Sequence, residues 1–546
     1  MAPTHGDEEI EGRYKERKAY KERPYAYSPV PASSSTEVHD TTTLDRHTDR
    51  NGAGRYDHRL GSTTINGVNG KCPVNNMAEK GSTTLQYVAA AAANLCTMAA
   101  GAMLGWTSPV LPKLMKNTED SPLGRPIDQD ENSWIGSLVA IGAMIGCFVA
   151  GWMSEKFGRK RTLLSAVVPF TIGWILIASA KVVIQLCVAR VFLGFAMAFA
   201  FTVVPMYCGE IAETSVRGAL GSFLQLFITF GLLYSYAIGP YVSYTVLWIL
   251  CGILPIIFFG CFITMPESPY YLLKIGQREE AIASLARLRS LPPASVQKEA
   301  DEMQTILQRA FLTAASIMDL FTVKANFKAM VYTSLLAMFQ QLSGINVVLF
   351  YMEGIFISAG TSLSTSVATI IVGAVQTIAS CVTPVVVDRL GRKLLLIISG
   401  IGEIVTLCAL GTYFYLKDAL HSDVSSISIL PILSLVIFIA TYCLGWGPLP
   451  WTMMGEMLAT NVKSKASSIA VCMCWLLAFF ITKFSGTLSE SFGNYTLYWL
   501  FAVFCVISVV FTVMVLPETK GKNLQQIQDE LNGVSPRVSD FESGKM

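Results

Sequence analysis

Twelve apolar segments of about 20 residues, separated mostly by short polar loops, constrain the fold of this chain more than any other feature. A stretch of about 20 apolar residues is long enough to cross a bilayer as a helix. The segments lie near 85–107, 133–153, 162–180, 183–206, 218–239, 246–265, 329–352, 366–387, 394–416, 429–453, 467–484 and 496–516. The sequence therefore predicts an all-α integral membrane protein with 12 transmembrane helices.

Composition supports a membrane protein and disfavours several other classes. Hydrophobic residues make up 52% of the chain and charged residues only 15%, whereas a soluble domain carries about 25% charged residues. The net charge of +2 gives no reason to expect a nucleic-acid partner. The sequence shows no Walker loop, no cysteine and histidine cluster with metal-ligand spacing and no nucleophile constellation, so we expect no enzyme, no cofactor and no metal.

The order of polar and apolar segments predicts five regions. We expect a disordered cytoplasmic tail over 1–84, a six-helix bundle over 85–265, a cytoplasmic linker with short helices over 266–328, a second six-helix bundle over 329–516 and a cytoplasmic tail over 517–546. The tail before the first segment is rich in Ser, Thr, Asp, Arg and Gly, which is typical of disorder.

The orientation follows from the Lys and Arg residues of the short loops, because cytoplasmic loops carry the excess of these residues. With both termini inside, the inner loops hold Lys156, Arg159, Lys160, Arg161, Arg217, Arg389, Arg392, Lys393, Lys463 and Lys465. The outer loops hold Lys113, Lys116, Arg125, Lys181 and Lys417. We therefore expect both termini in the cytoplasm.

Three charged motifs occur twice, in the same order. The sequence "FGRK" at 157–160 returns as "LGRK" at 390–393, "GEIAETSVR" at 209–217 returns as "GEMLATNVK", and "PESP" returns as "PETK". Such duplication predicts two homologous six-helix halves, which is typical of secondary transporters with a substrate site between the halves. We expect carboxylates and guanidiniums from different helices to pair across the cytoplasmic face and hold it shut when the site faces outward, and we expect these pairs to break when it opens inward. Simple positive-inside anchoring is the alternative. The charges concerned are Arg159, Glu210, Arg217, Glu267, Arg392, Glu456 and Glu518.

The motifs "FGRKR", "GEIAETSVRGALGS", "PESPYYLL", "QQLSGINVVLFY", "DRLGRK", "GWGPLPW" and "PETKGKNL" together resemble the sugar porter family of the major facilitator superfamily. The resemblance covers about 84–530, and "PWTMMGEM" with the residues after it looks most like the invertebrate facilitated trehalose and hexose transporters. It implies two six-helix bundles that work by alternating access.

The resemblance also implies a set of site residues. The substrate-binding positions are Gln225, Gln340, Gln341, Asn346, Gln376, Trp451 and Trp475, and Phe350 with Tyr351 form the extracellular gate pair. The chemistry of the residues agrees, because an uncharged amide both donates to and accepts from sugar hydroxyls. We also expect Ser343 and Gly344 to loosen the seventh helix, and the glycines and prolines of "GWGPLP" to break the tenth.

The chain departs from the family pattern at several positions. Cys443 stands where many members have a glutamate, Cys474 replaces an asparagine, and Tyr270 replaces a basic residue. Thr107 takes the place of the aspartate of proton-coupled members, so the family's arginine, Arg190, lacks its carboxylate switch. We therefore expect facilitated diffusion.

Two acids leave proton coupling open as an alternative. Glu353 and Glu403 lie within or near the seventh and ninth segments, where an acid is a functional candidate, although both could simply face water near a segment end.

The resulting hypothesis is a sugar uniporter of the cell membrane for trehalose or a hexose such as glucose, functional as a monomer. A proton-coupled symporter and a non-transporting sugar sensor are the alternatives. Asn494 begins a glycosylation sequon in an outer loop.

Overall fold

The computed structural model describes residues 81–116, 121–213, 215–312, 318–361, 363–459, 462–522 and 524–533, and the regular elements of this part of the chain are helices joined by loops. Most of the expected N-terminal tail and the last 13 residues of the C-terminal tail lie outside the described residues. Twelve helical stretches within the described ranges are long and apolar enough to cross a membrane. The predicted all-α membrane fold is therefore confirmed.

The first six spans form one half of the molecule. Their helices are Thr84–Gly105 with Thr107–Met115, Gln129–Phe157, Arg159–Ser165 with Val167–Ala178, Val183–Ile211, Arg217–Ile238 and Tyr244–Phe262. The second of these begins at a capping box, in which the Asp128 carboxylate accepts a hydrogen bond from the Glu131 backbone N–H and the Glu131 carboxylate accepts one from Asp128. This arrangement satisfies two backbone donors that the first turn of a helix would leave free.

The last six spans form the second half. Their helices are Lys324–Leu342 with Ile345–Ala359, Thr365–Leu390, Arg392–Phe414, Leu430–Leu444 with Leu449–Met457, Lys463–Phe492 and Asn494–Met514. Between the halves lie the short helices Pro269–Lys274, Arg278–Arg289, Gln297–Leu312 and Asp319–Thr322, and the helix Leu524–Asn532 follows the twelfth span.

The seventh and tenth spans are each broken near their middle, as the sequence predicts. In the seventh, Gly344 adopts a φ of 81°, and an added Cβ would lie 2.3 Å from the ring of Phe501 in the twelfth span. This conformation and this close approach both require glycine. In the tenth, the helix stops at Leu444 and resumes at Leu449, and the intervening Gly445 lies against Ser399 of the ninth span.

The two ends of the bundle differ in chemistry. The duplicated charged motifs lie at one end, which we call the charged-motif face, and the loop between the third and fourth spans lies at the other, which we call the opposite face. The second span packs on the eleventh and the fifth on the eighth. Several inter-half hydrogen bonds of the described residues lie at the opposite face: Glu353 N to Ser108 Oγ at 3.1 Å, Tyr236 Oη to Leu349 O at 2.8 Å, and Lys483 Nζ to Asp130 and Ser133.

Candidate functional site

Two of the expected sugar-binding amides are hydrogen-bonded to each other at the break of the seventh span. The Asn346 Nδ2 donates to the Gln341 Oε1 at 2.6 Å, and the Gln341 Nε2 approaches the Cys474 Sγ of the eleventh span at 3.1 Å. The break allows this contact, because Gln341 lies before Gly344 and Asn346 after it. The result is a polar group of uncharged donors and acceptors within an apolar bundle.

The third amide, Gln340, holds the break of the tenth span. Its Nε2 donates to the carbonyl oxygens of Trp446 and Gly447, at 2.8 Å each. Helix interruption leaves carbonyls without an intrahelical partner, so the amide satisfies groups that the break exposes. The two broken spans are thus joined through Gln340.

The remaining expected substrate residues lie on four different spans. Gln376 of the eighth span is buried, and its Oε1 has no partner among the described residues. Gln225 of the fifth span and Trp451 of the tenth are partly exposed. Trp475 of the eleventh span stacks on Phe201 of the fourth, with ring centroids 6.3 Å apart, and so contacts the other half. Among the described residues, the structure therefore brings Gln341 and Asn346 together, whereas Gln340 bonds the tenth span and Gln225 and Gln376 make no hydrogen bond with these amides.

The expected gate pair lies between these amides and the opposite face. Phe350 is buried, and Tyr351 has φ and ψ of −114° and 17°, which depart from helical values inside the span. The Tyr351 hydroxyl lies against Gly136 of the second span, where an added Cβ would be 2.3 Å away. Both gate residues line a cavity of about 170 Å³ that also contacts Asn132 but none of the three amides.

At the charged-motif face of the first half, the motif residues form one cluster. The Arg159 guanidinium donates from Nη2 to the Glu210 Oε1 at 2.8 Å, and the Glu267 Oε1 accepts from the backbone N–H groups of Arg159 and Lys160 at 3.0 Å each. Ser268 closes the cluster with a hydrogen bond to Glu210. Arg217 is not part of this cluster, and its Nη2 lies 3.5 Å from the Ala212 carbonyl.

The second half repeats the arrangement. Arg392 donates from Nη2 to the Glu456 Oε1 at 3.0 Å, and the Glu518 carboxylate accepts from the backbone N–H groups of Arg392 and Lys393. Thr519 donates to Glu456 at 2.6 Å, as Ser268 does to Glu210 in the first half. Partial burial alone would raise the pKa of Glu518, but hydrogen bonds from four backbone N–H groups hold the pKa below its usual value.

These clusters pair motif residues that come from different spans of the same half. The described ion pairs among the motif residues lie within each half, not across the charged-motif face. The second, fourth and sixth spans of one half end side by side and so bring their own motifs together. A gating role for these residues stays a prediction.

Arg190 of the fourth span is fully buried, and its donors go to carbonyl groups. Its Nε donates to Ile135 O at 3.1 Å and its Nη1 to Met103 O at 3.0 Å, while its Nη2 has no partner among the described residues. Thr107, at the position of the proton-coupled aspartate, donates to the Leu104 carbonyl of its own span. In the described part of the chain, no carboxylate forms an ion pair with Arg190.

Two charged residues within the spans lie differently from what the sequence suggests. Glu403 does not face water, because only 1% of its surface is exposed. Lys483 was missed by sequence reasoning, yet it is buried and joins the two halves through Asp130 and Ser133. A charge inside an apolar segment was the available signal.

Asn494, the expected glycosylation candidate, is hydrogen-bonded through both ends of its amide. Its Nδ2 donates to the Asp418 Oδ2 at 3.3 Å, and its Oδ1 accepts from Ser489. Attachment of a glycan would replace one of the two Nδ2 hydrogens, next to the Asp418 carboxylate.

This fold defines a class: two six-helix halves with broken helices at a central polar site are the architecture of a secondary transporter of the major facilitator superfamily. A family model described as "Sugar (and other) transporter" matches residues 69–531, so the chain belongs to the sugar transporter family.

Curated relatives and solved structures agree with this assignment. The chain is 36% identical over 453 residues to the facilitated trehalose transporter Tret1 of Bombyx mori, covering 83% of this chain and 88% of the relative. It is 35% identical to the protein of that name from Apis mellifera ligustica, covering 84% of this chain and 90% of the relative.

Among solved structures, the chain is similar to the proton:xylose symporter XylE bound to 6-bromo-6-deoxy-D-glucose. The TM-score is 0.67 at 25% identity, over 82% of this chain and 99% of that chain. A partially occluded inward open conformation of XylE from E. coli gives the same TM-score over 81% of this chain and 100% of that chain. The predicted family and fold are therefore confirmed, and the protein is a sugar transporter.

Proposed function

We propose that this transporter carries trehalose or a hexose by facilitated diffusion across the cell membrane, with the charged-motif face in the cytoplasm. The observation that carries the proposal is the bonded pair Gln341 and Asn346 at the break of the seventh span, next to Gln340, which bonds the break of the tenth. These uncharged donors and acceptors suit the hydroxyls of a neutral sugar. The names of the insect relatives favour trehalose within this class.

The broken spans provide the means of alternating access. Secondary transporters commonly have discontinuous helices at a substrate site near the middle of the membrane, and one half of the protein rocks against the other. In the conformation described here, the second part of the seventh span contacts the first half at the opposite face through Glu353 and Leu349. We assign this conformation to the inward-facing state, with the outer gate closed by Phe350 and Tyr351.

The surroundings of Arg190 support uniport. A proton-coupled cycle needs an acid that changes its protonation state as the site changes access. Arg190 instead bonds the carbonyls of Ile135 and Met103, and Thr107 cannot exchange a proton at physiological pH. Proton symport remains the second candidate, because XylE is named as a proton symporter and Glu403 is buried.

The test is counterflow in proteoliposomes, with trehalose, glucose and other hexoses as the panel. We expect saturable counterflow of at least one of these sugars, with a rate that an imposed proton gradient leaves unchanged at zero membrane potential. Acceleration by an inward proton gradient would instead establish symport, and saturable binding without flux would indicate a sensor.

The site itself is tested by Gln341→Ala. This change removes the acceptor of Asn346 and the donor to Cys474, so we expect loss of counterflow at normal membrane insertion. Gln277→Ala is the matched control, because Gln277 is exposed in the region between the halves. Unchanged kinetics in Gln341→Ala would remove that residue from the site.

A further inference from the structure

Glu403 is a buried acid that the proposed transport cycle does not use. It lies in the middle of the ninth span, Arg392–Phe414, facing the twelfth and tenth spans. Its Oε1 is 3.1 Å from the Ser399 hydroxyl, and its Oε2 is 3.6 Å from the Cys505 Sγ. Within the described residues no Lys, Arg or His forms an ion pair with Glu403. Its polar contacts are therefore with neutral groups, those of Ser399 and Cys505.

Ser399 connects Glu403 to the break of the tenth span. The Ser399 hydroxyl donates to the Thr441 carbonyl at 2.7 Å and accepts from the Trp446 backbone N–H at 3.2 Å. A hydroxyl has one proton, and the Ser399 hydroxyl donates it to the Thr441 carbonyl. Ser399 can then bond Glu403 at the same time only by accepting a proton from the Glu403 carboxyl group. At position 403, a neutral side chain that donates a hydrogen bond to Ser399 therefore satisfies Ser399 together with its bonds to Thr441 and Trp446.

The same break is held from its other side by a candidate sugar-binding residue. Gln340 donates to the carbonyls of Trp446 and Gly447, while Ser399 accepts from the Trp446 N–H. The backbone around Trp446 is thus fixed between the ninth span and the seventh. We therefore expect a shift of Ser399 to move the carbonyls to which Gln340 is bonded, and with them the amide.

We propose that Glu403 is a positioning residue for the sugar site, acting through Ser399 and the break of the tenth span on Gln340. The inference deepens the proposed function and rests on it. Glu403 does not touch the sugar; it fixes the break, and the break holds the Gln340 Nε2 and so fixes the direction of the Gln340 carbonyl oxygen. A merely structural bond between helices, which is common in membranes, would change the amount of folded protein but not the recognition of sugar.

The test compares Glu403→Gln with Glu403→Met in proteoliposomes. Gln keeps a neutral donor and acceptor at the same length, whereas Met fills similar space without either. We expect Glu403→Met to raise the KM of the transported sugar about three- to tenfold, as loss of one buried hydrogen bond implies, with a smaller change in kcat. Glu403→Gln should restore the wild-type KM. Equal KM values in wild type and Glu403→Met would overturn the proposal, as would Glu403→Gln being as impaired as Glu403→Met.

A second variant guards against misfolding of Glu403→Met. Ser399→Ala removes the connecting hydroxyl but leaves the acid, and we expect the same rise in KM. The double variant should show no further rise, because both changes break one connection. Thr406→Val is the control, since Thr406 is buried on the same helix but donates only to carbonyls of that helix. Additive effects of Glu403→Met and Ser399→Ala would contradict the connection.

Amide hydrogen exchange gives a readout that is independent of transport. In Glu403→Met and Ser399→Ala we expect faster exchange in the segment 441–449, with Glu403→Gln unchanged. If wild-type protein carries no sugar of the panel, the proposed function fails at that step. If it carries sugar while exchange and KM are unaltered in both variants, only the inference about Glu403 fails.

Discussion

Replacing Lys483 by Met should shift the balance between the two states of the transporter. Lys483 joins the eleventh span to the second by bonding Asp130 and Ser133, and its ammonium lies 4.5 Å from the centroid of the Trp134 ring. All three partners belong to the other half, so these contacts must break when the opposite face opens. Their removal should therefore favour the open form of that face.

The magnitude follows from the exposure of the partners. The Lys483 side chain is 8% exposed, but that of Asp130 is 67% exposed, so the ion pair is worth at most about 1 kcal/mol. The contact with the Trp134 ring adds about 0.5–1 kcal/mol, and the Ser133 hydrogen bond about 1 kcal/mol. Because these terms are not additive, we take about 2 kcal/mol, which is roughly a 30-fold shift in the equilibrium between the states.

The assay measures, separately for each side of the membrane, the sugar concentration at which binding is half-saturated. Apparent affinity falls with the fraction of protein in the competent state, so Lys483→Met should strengthen binding from the opposite face and weaken it from the charged-motif face. We expect the ratio of the two values to change by about 30-fold at most. Hydrogen exchange at the opposite-face ends of the second and eleventh spans should rise in parallel.

Lys181→Met is the matched control, because Lys181 is exposed at the same face. Asp130→Asn should act in the same direction as Lys483→Met, with an effect smaller than additive in the double variant. An unchanged ratio in Lys483→Met, or an equal change in Lys181→Met, would refute the reasoning.

Three further predictions concern other parts of the molecule. Gly344→Ala should lower the Tm and abolish transport, since the residue has a φ of 81° and its added Cβ would overlap the Phe501 ring; thermal unfolding of the purified protein measures this. Trp475→Leu should raise the sugar KM about three- to tenfold through loss of an aromatic face, while Phe201→Leu, which removes only the stacking partner, should have a smaller effect in the same uptake assay. The pKa of Glu518 is lowered in the folded protein, so the ionised carboxylate stabilises the fold at pH values above the usual pKa of about 4.5, and this stabilisation is lost as the pH falls below that value. Glu518→Gln should therefore lower the stability at neutral pH and flatten the acid side of the profile of stability against pH.

Much of the fold could be predicted from the sequence, because hydrophobic length and glycine and proline position act locally. The 12 spans and the breaks at Gly344 and Gly445 follow from such signals. The contact of Gln341 with Asn346 also follows from chain proximity at a break.

The partners of charged residues could not be predicted in the same way. Lys483 bonds Asp130, which is 353 positions away in the chain. A transporter with two states makes such contacts at one face or the other, depending on its conformation. The burial of Glu403 depends on the approach of the ninth, tenth and twelfth spans, which no local pattern encodes. The pairing of Arg159 and Arg392 within their own halves likewise depends on which span ends lie side by side.

The self-contained clusters around Arg159 and Arg392 have a consequence for how transport can be tuned. If each half keeps its ion pairs when it rocks, these bonds are not exchanged during the cycle and contribute little to the difference in free energy between the states. Polar contacts at the opposite face, such as that of Lys483 with Ser133, then become one determinant of that difference. A single substitution there could reset the resting orientation of the carrier, and hence its preferred direction of sugar capture, while leaving the sugar-binding chemistry unaltered.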